Sequence, residues 1–175
     1  MKRTAAATLV LSLGLFGLAA PAGAAPGKAK PGKPIQASLT IDYPAGTGTV
    51  TVTGAFTGSG TVETLKHKQA GRTRHFVEKL TFGSDSVNIK AVAVRGSRQL
   101  DASTCTVTEK YKGVWKITTG TGAFANVKGA GHLVATATVT GTPDQSKPNG
   151  CDLSNPTGTI VVNAKGRVKQ GPAKH

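Results

Sequence analysis

Two glutamates are the residues of this chain whose positions favour proton-transfer chemistry. Glu78 has the same alternation parity as Phe76 and Leu80, so a β-strand would turn its carboxyl to the apolar side. Glu109 shares its parity with Trp115 in the same way. Two inward carboxyls with raised pKa values would be able to act as general acid and base on a bound ligand. The alternative, which we favour, is a bulge, a register shift or a salt bridge to a neighbouring Lys or Arg, so no catalytic residue is assigned.

A group of basic residues surrounds the turn Gln69-Ala70-Gly71. If this segment folds as a hairpin, its cations meet at one tip and form a surface for an anionic polymer. Aromatic residues that would stack on nucleic-acid bases are nearly missing here, so no specific nucleic-acid partner is expected. The alternative is a solvated hairpin without a partner. The candidate anion-binding residues are Lys66, Lys68, Arg72 and Arg74.

The sequence contains two cysteines, Cys105 and Cys151. In an oxidising compartment, two cysteines with no other partner most simply form one disulfide, so we predict this bond. The histidines are scattered singly and show no zinc-ligand spacing, and we expect neither a metal nor a cofactor. No Gly-x-Ser-x-Gly element singles out a nucleophile.

Residues 1–24 have the pattern of a secretory signal peptide. Lys2 and Arg3 precede an uncharged apolar run over 5–20, and the small residues at 22–24 match a cleavage site. The run is short for a membrane-spanning helix, and the chain has no second candidate. We therefore expect a secreted, extracellular protein without a membrane span after cleavage.

The rest of the chain divides by composition into three parts. Residues 25–35 predict a flexible linker rich in Lys, Gly and Pro, residues 36–168 predict one β-barrel domain, and residues 169–175 predict a basic tail. Removal of Lys2 and Arg3 from the 22 basic residues leaves 20 against 8 acidic ones, a formal charge of +12. This excess favours anionic partners, and the alternative is that it serves solubility.

From residue 36 onward the chain is rich in Thr, Val, Gly and Ala and alternates in short runs, which predicts an all-β fold. Eight or nine strands with Gly-bearing turns suit a closed barrel or a sandwich. Many of the residues expected to face inward are small, so a barrel would either close tightly or keep a narrow cavity. The candidate strands are 36–43, 48–56, 60–68, 72–82, 86–95, 104–111, 114–118, 131–140 and 158–167.

The segment 113–131 is the most distinctive stretch. Its Gly120-x-Gly122-x-x-Ala125 satisfies a loose dinucleotide pattern, but that fingerprint needs a helix directly after the glycines, and here another strand follows. We therefore expect the loop to shape the fold, with Phe124 turned inward as a plug.

The same segment resembles the strand-loop-strand signature of the allene oxide cyclase and dirigent-like barrel superfamily, and most of all a secreted bacterial branch with the pattern Trp-x-Ile-x-x-Gly-Thr-Gly-Ala-aromatic. Thr119 stands where the first Gly of the loop is usual, and Lys128 precedes a Gly where Arg is usual. The resemblance implies an antiparallel eight-stranded barrel. The residues that carry it as fold markers are Trp115, Gly120, Gly122, Phe124 and Gly129.

These observations favour a secreted, basic, disulfide-closed barrel that binds and does not catalyse. The expected partner is an anionic surface polymer or a small apolar molecule. The alternative, implied by the resemblance, is a barrel enzyme or stereo-directing protein that acts on a small hydrophobic substrate, as the cyclases and dirigent proteins of plants do. The binding and enzyme hypotheses predict different barrel interiors, because an enzyme needs an open cavity with convergent polar groups.

Overall fold

The computed structural model describes residues 32–171, and they form a closed barrel of eight antiparallel strands in simple up-and-down order, with β1 paired to β8. The predicted all-β barrel is confirmed. The predicted signal peptide and most of the predicted linker and basic tail lie outside the described residues. The strands are β1 Lys33–Tyr43, β2 Thr47–Gly54, β3 Gly58–Ala70, β4 Thr73–Phe82, β5 Asp85–Asp101, β6 Thr106–Gly120, β7 Val127–Pro143 and β8 Cys151–Gln170.

The strand count is eight because the predicted strands 104–111 and 114–118 are one element, β6. Gly113 continues the ladder on both sides of β6, opposite Ala93 on β5 and Leu133 on β7. The barrel also starts earlier than expected, because β1 begins at Lys33, within the predicted linker. The connection between β7 and β8 is short, since Pro143 at the end of β7 pairs with Cys151 at the start of β8.

Alternation along each strand separates the core from the surface. β-branched and small apolar side chains face inward, while Thr, Ser and Lys face solvent, which is the pattern that a half-buried strand requires. Trp115 is the largest core side chain; it pairs with Ala91 on β5 and with Gly131 on β7, and Gly131 in turn pairs with Gly166 on β8. A Cβ at Gly166 would clash with the indole ring, so this glycine makes room for the only tryptophan of the chain.

Three phenylalanines close one end of the barrel. The ring centroids of Phe56 and Phe124 are 5.0 Å apart, and Phe82 lies 5.5 Å from Phe124 and 5.7 Å from Phe56. Phe124 belongs to a short 3₁₀ turn, Gly122–Phe124, that links β6 to β7. The turn directs Phe124 toward the interior, as the sequence predicted.

The opposite end carries the disulfide. Cys105 and Cys151 are bonded, with an S–S distance of 2.07 Å and a Cα–Cα distance of 5.5 Å, and the predicted bridge is confirmed. Cys105 lies in the β5–β6 connection and Cys151 begins β8, so the bond joins two long hairpins.

No described helix has the length and apolar character needed to cross a bilayer. Within residues 32–171, no group of three or more His, Cys, Asp or Glu side chains is placed to hold a metal ion.

Candidate binding cavity

A cavity of about 360 Å³ occupies the barrel interior. This volume is at the lower end of the range of about 300–1,000 Å³ that is common for small-molecule sites. The wall is mostly apolar, and the space exists because several inward positions carry alanine where Val or Leu would fill the barrel. The alanines of the wall are Ala37, Ala91, Ala93, Ala135, Ala137 and Ala164.

Glu78 is the carboxyl group inside this apolar wall. It is 8% exposed, and Thr64 Oγ1 donates a hydrogen bond to its Oε2 at 3.1 Å. None of the ion pairs among the described residues involves Glu78. Burial raises the pKa of Glu78, and the Thr64 hydrogen bond opposes that shift only in part, so the cavity favours the neutral acid. A neutral carboxyl can both donate and accept a hydrogen bond.

Trp115 contributes a second polar group to the wall. Its indole ring lines the cavity, and its Nε1 is buried without a hydrogen-bond partner among the described residues. Buried N–H groups are rarely left unpaired, because losing hydrogen bonds to water costs about 1–3 kcal/mol.

The second predicted glutamate, Glu109, lies nearer the disulfide end and has a different environment. Arg95 Nη1 donates to its Oε1 at 2.8 Å, and Arg74 Nη2 donates to its Oε2 at 3.0 Å. Arg98 Nε is 3.5 Å from Oε1, and the Tyr111 hydroxyl donates to Oε2. Glu109 is therefore held by three guanidinium groups and a phenol, which is the salt-bridge alternative considered for it.

These contacts move the pKa values of the cluster. Desolvation would raise the pKa of Glu109, but the hydrogen bonds from Tyr111 and Arg95 and the charges of Arg74 and Arg95 outweigh it, and the net pKa is lowered. Burial, together with the bond to Glu109, raises the pKa of Tyr111 to about 12. Glu109 thus stays ionised and Tyr111 stays protonated, and neither group is poised to exchange a proton near neutral pH.

Arg74 connects this cluster to the cavity. Its guanidinium carbon lies 5.2 Å from the centroid of the Tyr111 ring, and the side chain lines the cavity. Next to it on the wall, His67 stacks on Phe76 with ring centroids 4.9 Å apart. Desolvation and the charge of Arg74 lower the pKa of His67, which favours its neutral form.

The cavity reaches the surface beside this cluster. Several of its lining residues are exposed, and they come from the β1–β2 turn and from the middle of β3. Its exposed charged groups are Lys66 and Asp42, and the partly buried Arg74 adds a second cation to the cavity wall. The exposed lining residues are Asp42, Pro44, Ala45, Leu65, Lys66 and His67.

The predicted basic hairpin is divided by the structure. Lys66 and Lys68 face outward, whereas Arg74 faces the interior. Arg72 donates hydrogen bonds to the carbonyl oxygens of Arg95 and Gly96, at distances of 2.7–3.1 Å. The four candidate residues therefore do not share one surface.

A bulge accounts for the position of His67. The register between β3 and β4 shifts between Thr64 and Lys66, which reverses the alternation of β3 and turns His67 to the inner side. The sequence carries no signal for this bulge. The inward position of Arg74, however, follows from the same parity that placed Glu78 beside Phe76, and that signal was present in the sequence.

The fold-marker residues support the cavity without forming a separate site. A Cβ at Gly120 would clash with the backbone of Phe124, and a Cβ at Gly129 would clash with the side chain of Val168. Phe124 closes the floor, and Trp115 forms part of the wall. Gly122 adopts a positive φ of 51° and lies against the carboxylate of Asp85.

No known family model matches this chain, and neither the curated proteins nor the solved structures include a significant match.

Proposed function

We propose that the barrel is a binding protein for a small, mainly apolar molecule that carries one acidic group. The observation that carries this proposal is the apolar cavity of about 360 Å³ with one partly exposed arginine, Arg74, in its wall. An apolar body would gain about 25 cal/mol for each Å² removed from water in such a wall. The acidic group would stay at the mouth, near Arg74.

Arg74 is the partly buried cation of the cavity wall that would hold the acidic group. Its side chain is 19% exposed, and one of its five N–H groups is committed to Glu109. The guanidinium therefore retains donors for a second carboxylate or a phosphate, in a partly buried setting where charge-assisted hydrogen bonds are strong.

Glu78 gives the interior a further selective feature. Because burial favours its neutral form, the group offers a hydrogen bond to a hydroxyl or carbonyl on the ligand body. A cationic ligand would need Glu78 ionised and would also be repelled at the mouth. The proposed order of preference is therefore acid, then neutral molecule, then amine.

The enzymatic alternative, and the resemblance from which it comes, remain hypotheses. Glu78 is the wall residue that would have to transfer the proton, since Glu109 is bound by three arginines. The secreted location also remains a prediction from residues 1–24.

The first prediction uses Trp115, the single tryptophan of the sequence, as the reporter of the cavity. Its fluorescence is titrated with decanoate, decanol and decylamine, which share a chain and differ in the head group. We expect decanoate to bind tightest and decylamine weakest.

Two arginine variants provide the matched comparison. Arg74→Gln removes the cation that lines the cavity, and we expect about a tenfold loss for decanoate, which corresponds to about 1.4 kcal/mol, with little change for decanol. Arg98→Gln removes a cation that also touches Glu109 but does not line the cavity, and decanoate binding should persist. Tighter binding of decylamine than of decanoate would contradict the proposal.

A further inference from the structure

The outer wall of the barrel carries cations in a regular cross-strand arrangement. Residues paired directly across neighbouring strands form rows that run around the barrel. One such row, from β3 to β8, consists of Lys66, Val77, Lys90, Lys116, Ala130 and Arg167. The next row consists of Lys68, His75, Val92, Val114, His132 and Lys165. We name these two rows together the basic belt.

The cations of the basic belt have no protein counter-ion. Neither row contains an acidic residue, and all three ion pairs among residues 32–171 belong to Glu109. Every Lys, Arg and His of the two rows is exposed. Their positive potential is therefore directed to solvent, where an anionic partner can reach it.

The two rows run from β3 to β8 and do not continue as cations onto β1 and β2. Most outward positions of β1 and β2 carry neutral side chains such as Thr40, Thr49 and Thr51, and the charged exception, Asp42, is an anion. Other exposed lysines, such as Lys110 and Lys112, lie in separate rows opposite neutral residues, so the belt is distinguished by two adjacent rows that each carry several cations.

The belt also has a physical shape that suits a chain molecule. A groove follows it across β3 to β7 and is lined both by apolar side chains, Val77, Val92 and Val114, and by lysines of the two rows. Neighbouring strands lie about 4.8 Å apart, so the five steps from Lys66 to Arg167 span about 24 Å along the wall.

We propose that the basic belt binds a linear polyanion, such as an acidic polysaccharide, laid across the strands. The row of cations passes over six of the eight strands and so bends around the barrel. A flexible polymer can follow this curvature and meet each cation in turn, whereas a flat anionic membrane would touch only part of the row. The inference does not depend on a ligand in the cavity.

The second prediction compares two charge reversals of equal size, with heparin as the probe. The double variant Lys90→Glu/Lys116→Glu reverses the two paired charges in the middle of the belt. Lys110→Glu/Lys128→Glu changes two exposed lysines that lie in other rows, opposite Thr136 and Lys169. We expect the belt variant to lose about tenfold in heparin affinity and the control less than about threefold. Binding of the wild type should weaken as salt rises, because exposed charges are screened.

Three outcomes would overturn the proposal. One is equal loss in both variants, which would mean that net charge alone is responsible. Another is no binding of heparin by the wild type. The last is binding to phosphatidylglycerol vesicles but not to heparin, which would make a membrane the partner. Circular dichroism of both variants checks that each remains folded.

Discussion

At the scale of single residues, Glu78 and Glu109 show how the environment gives one residue type two roles. Both point into the barrel, at 8% and 7% exposure. Glu109 is surrounded by arginines and its pKa is lowered, whereas Glu78 contacts Thr64 and its pKa is raised. Their inward direction was predictable from alternation. The partners were not, because Arg95 and Arg98 reach Glu109 across a register shift in β5 that has no sequence signal.

The third prediction concerns the pH dependence of stability. Between the ordinary Glu pKa of 4.5 and the raised pKa of Glu78, the folded state keeps a proton that the unfolded state has lost. The free energy of unfolding must therefore fall as pH rises through this interval. Glu109 acts in the opposite direction and at lower pH, since its stabilisation is lost as pH falls through its lowered pKa. We expect Glu78→Gln to remove the fall in the free energy of unfolding above pH 4.5, as measured by chemical denaturation across a pH series.

Thr64→Val serves as the companion variant. It removes the hydrogen bond that lowers the pKa of Glu78, so the fall in stability should extend to higher pH. If Glu78→Gln and wild type show the same pH dependence above the ordinary Glu pKa, Glu78 is not held in the environment described here.

At the scale of elements, the loop between β6 and β7 requires glycine at position 122 for two reasons, its left-handed backbone conformation and its close contact with Asp85. Gly122 has a φ of 51°, and Asp85 Oδ2 accepts a hydrogen bond from the next residue, Ala123 N, at 3.1 Å. A Cβ at position 122 would collide with that carboxylate. The sequence indicated a structural role for this glycine from the strand that follows it. It did not indicate Asp85, which is distant in sequence.

The fourth prediction separates the cost of the left-handed backbone conformation from the cost of the contact with Asp85. Gly71 also has a positive φ, 58°, but a Cβ there would meet nothing within 4 Å. Gly71→Ala should cost only the left-handed penalty of about 1–2 kcal/mol. Gly122→Ala should cost about 3 kcal/mol, since Asp85 must also move. Thermal and chemical denaturation measure both, and equal losses would show that the contact with Asp85 contributes nothing.

At the scale of the whole molecule, the inner and outer surfaces of the barrel have separate proposed binding functions. The wall encloses an apolar cavity closed by Phe56, Phe82 and Phe124, while its outer side carries the basic belt. The fold class and the disulfide followed from alternation and from cysteine count. The open interior did not, because the same small inward residues also fit a tightly closed barrel, and only the register of all eight strands decides between the two.

The fifth prediction, and the most direct test of a binding cavity, is a calorimetric titration of decanoate into an interior-filled variant. Ala135→Leu/Ala164→Leu places added methylenes in the cavity, whereas Val134→Leu/Val161→Leu enlarges exposed side chains on the same two strands. We expect wild type and the outer variant to bind alike and the interior variant to lose about tenfold or more in affinity. Ala135→Val is the milder replacement if the double variant fails to fold. Undiminished decanoate binding by a folded interior variant would contradict the account.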